Sequence, residues 1–400
     1  MRGAGGAAGA LRVLHCPTTV GGHPQALARA ERELGLASVA VALDQTFLNY
    51  QTDEVMFRPG EHQLKRNLKL WGLLWRAARG FDVVHYNFGS TIMPAYFPPD
   101  RHVGTKYPRA LYEAYDLYRR LGDMRDLGLL SRLGKGVAVT FQGDDARQGD
   151  FCRAHFEISP AEEAGYYSPE ADEHNRRKIA LFDRHADRIY ALNPDLLHVL
   201  PPRAEFLPYA NIDPREWTPT AGAGGSSGRP VVLHAPTHRG VKGTRFIIEA
   251  VERLRGRDRL DFEFVLVEGL SHAEARRLYE RADLLVDQLL CGWYGGLAVE
   301  LMALGKPVVC YVRVCDLKFL PPGMRDDLPL ISATPSTVYD VLKHWLTAGR
   351  GGLPEAGRRS RAYVERWHDP LKVAARVKKD YEEMAARGGR RVRPARASQV

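Results

Sequence analysis

Two cations in the second half of the chain have the spacing of an anion-binding pair. Arg239 and Lys242 stand in the stretch HRGVKGT, on either side of a glycine and directly before a helical pattern. A guanidinium can hold an anion through two parallel hydrogen bonds, and an ammonium adds a compact point charge. The pair therefore predicts a site for a diphosphate group, and the alternative is two solvated surface cations.

A second stretch, GWYGGLAVELMALGKPVV at 292–309, carries complementary chemistry. Gly295 and Gly296 allow a tight turn and a close approach to the backbone, directly before a short helix. Free N–H groups and the helix dipole both favour an anion at such a helix start. Glu300 in the same helix can accept hydrogen bonds from hydroxyl groups. The alternative is an ordinary helix cap with an acid in an early turn.

The hydrophobic pattern of the sequence predicts the strands and helices that would position these residues. Short apolar segments alternate with helical patterns along the whole chain, which predicts an α/β protein with parallel sheets covered on both faces. A Gly/Ser-rich break at 218–230 separates two such series. Ligands of doubly wound sheets bind outside the carboxyl ends of the strands, so two domains would face each other across a cleft. The predicted strands are 11–16, 38–43, 82–87, 136–141, 188–192, 231–237, 262–267, 284–288 and 307–312.

Composition narrows the class of protein. The formal charge is +9, but five of these charges come from the arginines of the acid-free segment that begins at Arg387. This distribution argues against a nucleic-acid binder, since the basic excess sits largely in one tail. Five scattered cysteines favour a reduced, cytoplasmic protein, and no stretch is apolar enough to span a membrane. A dinucleotide oxidoreductase is disfavoured because no strand–GxGxxG–helix unit is present.

The motifs together resemble a known family. HRGVKGT, ADLLVDQLL at 282–290 and the 292–309 stretch resemble the donor-binding half of retaining glycosyltransferases of family 4, and VLHCPTTVGGHPQALARAERELG resembles their acceptor half. The resemblance spans residues 11 to 385 and implies the GT-B fold, with two Rossmann-like doubly wound parallel-sheet domains facing an interdomain cleft. The implied organisation is a disordered start (1–10), an acceptor domain (11–212), a linker (213–230), a donor domain (231–368), a helix packing back on the first domain (370–386) and a basic disordered tail (387–400).

The resemblance also implies roles for particular residues. Arg239 and Lys242 would stabilise the diphosphate of a nucleotide-sugar donor as it leaves, with no metal and no cofactor. Glu300 would hold the ribose. The remaining donor contacts would come from Gly21 and Gly22, the backbone around Tyr294, Gly295 and Gly296, and Glu268, Gly269 and Leu270 beside the base.

Candidates in the first half are fewer. Asp144 in FQGDDAR would contact sugar or acceptor, and the alternative for this acid is a helix or loop cap. His85 ends a predicted strand and would bind or deprotonate the acceptor hydroxyl, unless it is a buried, satisfied histidine.

His234, His238 and His272 are further candidates near the donor half.

Two positions depart from the family pattern. Gly292 stands where these enzymes often carry a glutamate, and Gln142 where they often carry a histidine. The implied function is transfer of a sugar to a hydroxyl of a glycan, a lipid-linked intermediate or a natural product. The departures keep a non-catalytic sugar-nucleotide or glycan-binding protein as one alternative, and a GT-B phosphorylase or epimerase is another.

The stretch LKRNLKLWGLLWRAARG predicts a basic amphipathic helix. Its stripe of Leu64, Leu68, Trp71 and Trp75 is expected to pack on the sheet. The second interpretation is peripheral contact with an anionic membrane at the inner face of the cell membrane, which would suit a lipid-linked acceptor.

Overall fold

The computed structural model describes residues 9–46, 48–93, 96, 109–222 and 228–392. Its strands form two fully parallel sheets, of seven and five strands, in the orders β3-β2-β1-β4-β5-β6-β7 and β12-β11-β10-β8-β9. The predicted pair of doubly wound domains is therefore confirmed. The strands are β1 Arg12–Cys16, β2 Ala37–Ala42, β3 Glu54–Val55, β4 Val83–Asn87, β5 Gly136–Phe141, β6 Arg188–Ala191, β7 Glu205–Phe206, β8 Val231–His234, β9 Glu263–Leu266, β10 Leu284–Val286, β11 Val308–Cys310 and β12 Ile331–Ser332.

Helices cover both faces of each sheet. Those of the first domain are α1 His23–Glu33, α2 Gln63–Gly80, α3 Arg109–Gly122, α4 Arg125–Arg132, α5 Gly149–His155 and α6 Pro169–His185. Those that follow are α7 Arg239–Lys242, α8 Thr244–Gly256, α9 His272–Arg281, α10 Gly296–Ala303, α11 Pro322–Asp326, α12 Val338–Leu346, α13 Leu353–Trp367 and α14 Pro370–Val392. No helix in the described ranges is long and apolar enough to cross a bilayer.

The core of the first domain lies against β4 and β5, in which every residue is buried. Continuous apolar strands of this kind are typical of parallel sheets covered on both sides. Leu73 of α2, Leu127 of α4 and Phe182 of α6 pack on one face of the sheet. Helices α1 and α14 lie together on the opposite face. The strand ends that carry candidate site residues are thereby held on a rigid layer.

Helix α2 buries a different face from the one predicted from the sequence. It packs on the sheet through Leu70, Leu73, Leu74 and Ala77. The stripe of Leu64, Leu68, Trp71 and Trp75 is exposed instead. The prediction that this stripe packs on the sheet is therefore wrong, because the neighbouring residues of this Leu-rich helix form a second apolar face that fills the core.

The chain crosses between the domains twice. After β7 it passes along the second domain, where Lys306 Nζ donates to the backbone oxygen of Thr220 at 2.7 Å. After α13 it returns as α14, which continues to Val392 and so into the segment expected to be a disordered tail. An ion pair one helical turn apart, Arg387 to Glu383 at 3.7 Å, accompanies this extension. Of the predicted start, linker and tail, residues 1–8, 223–227 and 393–400 lie outside the described residues.

Candidate functional site

A cavity of about 330 Å³ opens between the two domains, at the carboxyl ends of their strands. Gln142 and Asp144 line it from the turn after β5, and Lys242 and Glu300 line it from the second domain. This is the position at which ligands bind in doubly wound sheets. Of the predicted donor and acceptor residues, Gly21, Asp144, Lys242, Gly295, Gly296 and Glu300 line this one cleft.

Lys242 points into this cleft and is held by its own domain. Its ammonium lies 3.6 Å from Asp287 Oδ1 and donates a hydrogen bond to Gln288 Oε1. Burial is the largest single effect and would lower the pKa of Lys242, but Asp287 and the further acidic groups around it together outweigh burial, and the pKa is raised. The lysine is therefore charged at neutral pH.

The glycine loop places the start of α10 beside that lysine. A side chain at Gly295 would reach within 3.4 Å of Lys242 Nζ, so glycine keeps this approach open. The N–H of Gly295 donates to Asp287 Oδ2 at 2.8 Å, which folds the upstream acid back onto the loop. The first N–H groups of a helix lack acceptors within the helix, and this helix end faces the cleft. Gly296 also lines the cavity, where Asn211 donates to its backbone oxygen.

The side chain of Tyr294 turns away from the cleft and anchors the loop. It is completely buried, and its hydroxyl lies 2.9 Å from the hydroxyl of Tyr363 and 2.8 Å from His368 Nε2. His368 in turn contacts the backbone oxygen of Tyr209 on the first crossing segment. The glycine loop is thus tied to both interdomain crossings.

Glu300 lies in the cleft, paired with a histidine. Its Oε1 is 2.9 Å from His272 Nε2, and the His272 ring packs 4.8 Å from the ring of Tyr50, a first-domain residue. Burial favours the neutral imidazole, but the hydrogen bond to Glu300 and the charge of its carboxylate together outweigh burial and raise the pKa of His272. His272 is a candidate from the sequence that the structure joins to the predicted ribose-binding acid.

The structure places Arg239 outside the cleft. The guanidinium is exposed and binds Glu268 through two hydrogen bonds, of 2.8 and 2.5 Å. Among the described residues that line the cavity neither member of this pair appears. Arg239 and Glu268 satisfy each other because the end of β9 lies beside α7. Gly269 and Leu270 are also absent from that lining, and Leu270 packs on the core.

Asp144 is the acid of the FQGDDAR turn that enters the cleft. It accepts hydrogen bonds from Arg147 at 2.6 Å, Tyr166 at 2.6 Å and Tyr167 at 2.5 Å. Burial opposes ionisation, but these partners outweigh it and hold the pKa of Asp144 below its ordinary value. The neighbouring Asp145 instead accepts the backbone N–H groups of residues 142 and 143 and shapes the turn, and burial raises its pKa to about 6.

Two further residues of the same turn lie at the cleft: Arg147, which sequence reasoning missed, and Gln142, which it noted at a position where the resembling family often carries a histidine. Arg147 lies between Asp144 and the buried Asp195, whose carboxylate is 2.8 Å from its Nε. Gln142 is 8% exposed, and its Nε2 has no hydrogen-bond partner although it lines the cavity. The sequence signal for Arg147 is the stretch FQGDDAR, in which this arginine follows the first aspartate by three residues. Thr237, which sequence reasoning missed, lines the cavity together with His238, which it named as a candidate.

His85 does not reach the cleft. Its ring is completely buried between Tyr381 of α14, with the hydroxyl 2.5 Å from Nδ1, and Thr140 of β5, 2.7 Å from Nε2. Burial lowers its pKa well below the ordinary value. The structure therefore places His85 as the buried, satisfied histidine, because α14 covers that face of the sheet. His234 is likewise buried, bonded to Val286 and Thr244.

The two glycines of the first-domain loop also differ in whether they line the cleft. Gly21 lines the cavity in a left-handed conformation, with φ of 63°. Gly22 packs against Tyr50, and a Cβ there would lie 2.9 Å from that ring. Only the first of the two glycines is in a position to approach a ligand directly.

Gly292 keeps a buried arginine in place. Its φ is 79°, and a Cβ at this position would lie 2.6 Å from Arg313 Nη1. Arg313 stacks on the Phe156 ring at 3.7 Å and forms an ion pair with Asp316 at 2.9 Å. Gly292 thus leaves room for this packing of Arg313 between the two domains.

First-domain residues reach across the cleft at two points. The Tyr166 ring lies 4.7 Å from the His238 ring, and the N–H of His272 donates to the backbone oxygen of Leu48 at 3.3 Å. The two domains are therefore in contact on both sides of the cavity.

One group in the described part of the chain has the spacing of metal ligands: His198, Cys315 and Asp316, with donor atoms within 4.8 Å of one another. Asp316 is already neutralised by Arg313 and lies 2.8 Å from His198. This arrangement fits an interdomain ion-pair network better than a metal site.

Comparison with solved structures identifies the fold. HepE of Anabaena, in complex with UDP-glucose, superposes with a TM-score of 0.57 at 10% identity, over 93% of this chain and 100% of that one. Sucrose-phosphate synthase of Thermosynechococcus elongatus gives 0.54 at 13% identity, over 94% and 99%. A glycosyltransferase of Rickettsia africae gives 0.51 at 9% identity, over 94% and 99%. The chain has the GT-B fold. No protein-family profile matches it, and no curated protein does.

Proposed function

We propose that the protein is a glycosyltransferase that moves a sugar from a nucleoside diphosphate donor to a hydroxyl acceptor with retention at the anomeric carbon. The observation that carries the proposal is the arrangement around the cleft. One wall presents Lys242, the start of α10 and Glu300, and the opposite wall presents Asp144 and Arg147. The GT-B likeness supports the same class.

The second-domain wall fits a leaving diphosphate. Negative charge develops on the leaving oxygen, and preorganised donors in a water-poor site stabilise it. Lys242 supplies the cation and the amino end of α10 supplies backbone donors, so no metal is required. The diphosphate would replace Gln288 and Asp287 as the partner of the lysine. Glu300 lies further along the same wall, where it would accept hydrogen bonds from ribose.

The first-domain wall fits hydroxyl groups of the sugar or the acceptor. Asp144 is held ionised by three donors and still faces the cavity. Gln142 offers an unpaired amide N–H group beside it. The acceptor would be a glycan, a lipid-linked intermediate or a natural product, and the protein would work in the cytoplasm.

One observation favours a second candidate, a non-catalytic sugar-nucleotide-binding or glycan-binding protein. Arg239 is engaged by Glu268, and Gly292 provides no carboxylate for the sugar. The two candidates differ in turnover. Formation of a glycosylated product from labelled donor supports the enzyme, and nucleotide binding without product supports the second candidate.

The donor site is tested by thermal-shift measurements with UDP, GDP, ADP, CDP and TDP, with and without EDTA. A ligand at about 100 times its dissociation constant stabilises by about 2.7 kcal/mol. We expect one nucleotide to stabilise the protein regardless of EDTA, and Lys242→Ala to remove the effect. Arg239→Ala is the matched control, because its side chain lies outside the cleft, and it should retain the shift. A shift that survives Lys242→Ala contradicts the assignment.

A further inference from the structure

The first domain carries an exposed apolar surface on its outer side, away from the sheet. It is formed by α2, α3 and the end of α4, and we call it the docking face. On most globular proteins large apolar side chains are exposed singly, whereas a contiguous group marks an interaction surface. Its members, between 42% and 72% exposed, are Leu64, Leu68, Trp71, Trp75, Leu117, Leu121, Leu129 and Leu133.

A groove of about 730 Å³ runs beside this face, between α2, α3, α4 and α6. Its apolar lining includes Trp71, Met93, Leu121, Leu129 and Leu181. It is separate from the interdomain cleft, with which it shares none of its described lining residues. The groove has the size and lining to accept an apolar chain.

Arginines surround the groove, and most of their charge is not neutralised. Arg120, Arg125, Arg132, Arg177 and Arg184 all line it. Within the described ranges Arg177 pairs with Asp123, whereas Arg125, Arg132 and Arg184 have no carboxylate partner.

The titratable groups beside the groove are affected by the same excess of positive charge. Burial lowers the pKa of His185, and the positive charges of Arg184 and Arg132 lower it further. The two acids that line the groove are occupied, since Asp123 pairs with Arg177 and the buried Asp126 accepts from Tyr86 and the N–H of Met93.

We propose that the docking face binds the surface of an anionic lipid bilayer, with its leucines and tryptophans at the headgroup–acyl boundary and the groove arginines on lipid phosphates. Apolar insertion and attraction to anionic lipid are the two contributions that hold a peripheral protein on a membrane. A protein partner with the same complementarity would need an acidic, apolar surface of its own. The combination of an apolar rim, a chain-sized groove and unpaired arginines matches an amphiphile with an anionic head. The inference does not depend on catalysis in the cleft.

The test is flotation of the full chain with phosphatidylcholine vesicles that contain or lack phosphatidylglycerol. We expect binding only with the anionic lipid, and weakening as salt is raised, because exposed charges are screened. The triple variant Arg125→Glu, Arg132→Glu, Arg184→Glu should reduce binding at least about tenfold. The matched control carries the same charge change on the second domain: Arg257→Glu, Arg277→Glu, Arg359→Glu.

The apolar contribution is tested separately with Leu64→Ser, Leu68→Ser, for which Val314→Ser is the control. Val314 is 77% exposed and lies in the second domain. Circular dichroism checks that each variant folds, and the single change Arg184→Gln serves if the triple variant does not. Equal binding to neutral vesicles overturns the proposal, as does equal loss in the control triple. A vesicle-free dimer broken by the leucine variant also overturns it, because a second copy would then cover the face.

Discussion

At the scale of single residues, Gly292 explains a departure from the family pattern. A side chain there would be strained by φ of 79° and would also meet Arg313 at 2.6 Å. We expect Gly292→Ala to lower the urea midpoint clearly, since a left-handed non-glycine residue costs about 1–2 kcal/mol before any clash. Gly269→Ala is the control: its φ is 68°, but no atom lies within 4 Å of the added carbon. Equal losses in the two variants would show that Arg313 moves aside freely.

The pair of His272 and Glu300 makes a prediction about pH. The pKa of His272 is raised in the folded chain, so the protonated imidazole stabilises the fold. This contribution is fully present below the ordinary histidine pKa and is lost as pH rises through the raised value. We therefore expect the thermal midpoint of the wild type to fall relative to His272→Gln as pH rises from about 6.5, the ordinary histidine pKa, into the mildly alkaline range. Other histidines cancel in this difference, so a constant or growing advantage over that range contradicts the prediction.

At the scale of elements, the positions of helices and strands could be predicted from the sequence wherever a single local pattern determines them. Helix α9 begins with a capping box in which Ser271 accepts the N–H of Glu274 and the Glu274 side chain accepts the N–H of Ser271. The stretch SHAEARRLYERA at 271–282 carries this pattern, and the helix in the structure spans His272–Arg281. Strand β5 was predicted at both of its ends, because a continuous apolar run beside glycine-containing turns has few alternatives.

The orientation of elements was harder to predict, because it depends on partners distant in sequence. Helix α2 has two apolar stripes, and only contact with the sheet determines which one is buried. Arg239 lies outside the predicted site because its guanidinium is hydrogen-bonded to Glu268, which is 29 residues away in the sequence but lies beside it in the fold. Lys242 and Glu300 line the cleft from the end of α7 and the interior of α10, the helices that follow strands β8 and β10. Local spacing thus places a residue at the cleft but does not choose its hydrogen-bond partner.

At the scale of the whole molecule, α14 makes the first domain depend on the end of the chain. Besides the contact between Tyr381 and His85, Asp380 accepts from Tyr190 at 2.6 Å and Arg188 at 2.8 Å. Met384 packs so closely on Gly136 that a Cβ there would lie 2.9 Å away. A chain ending at Asp369 would therefore expose an apolar face of the sheet and leave His85 without one of its partners. An unpaired buried polar group alone costs about 1–3 kcal/mol.

We accordingly expect truncation after Asp369 to destabilise the first domain specifically. Limited proteolysis should then cut within 11–212 while the second domain persists, and the proposed nucleotide-dependent thermal shift, which would depend on both walls of the cleft, should weaken. Truncation after Val392 is the matched control, since it keeps the whole of α14 and should leave the proteolytic pattern unchanged. A first domain that stays resistant in the shorter chain would mean that its own helices suffice to cover the sheet. The contact between His85 and Tyr381 would then be a consequence of docking and not a requirement for it.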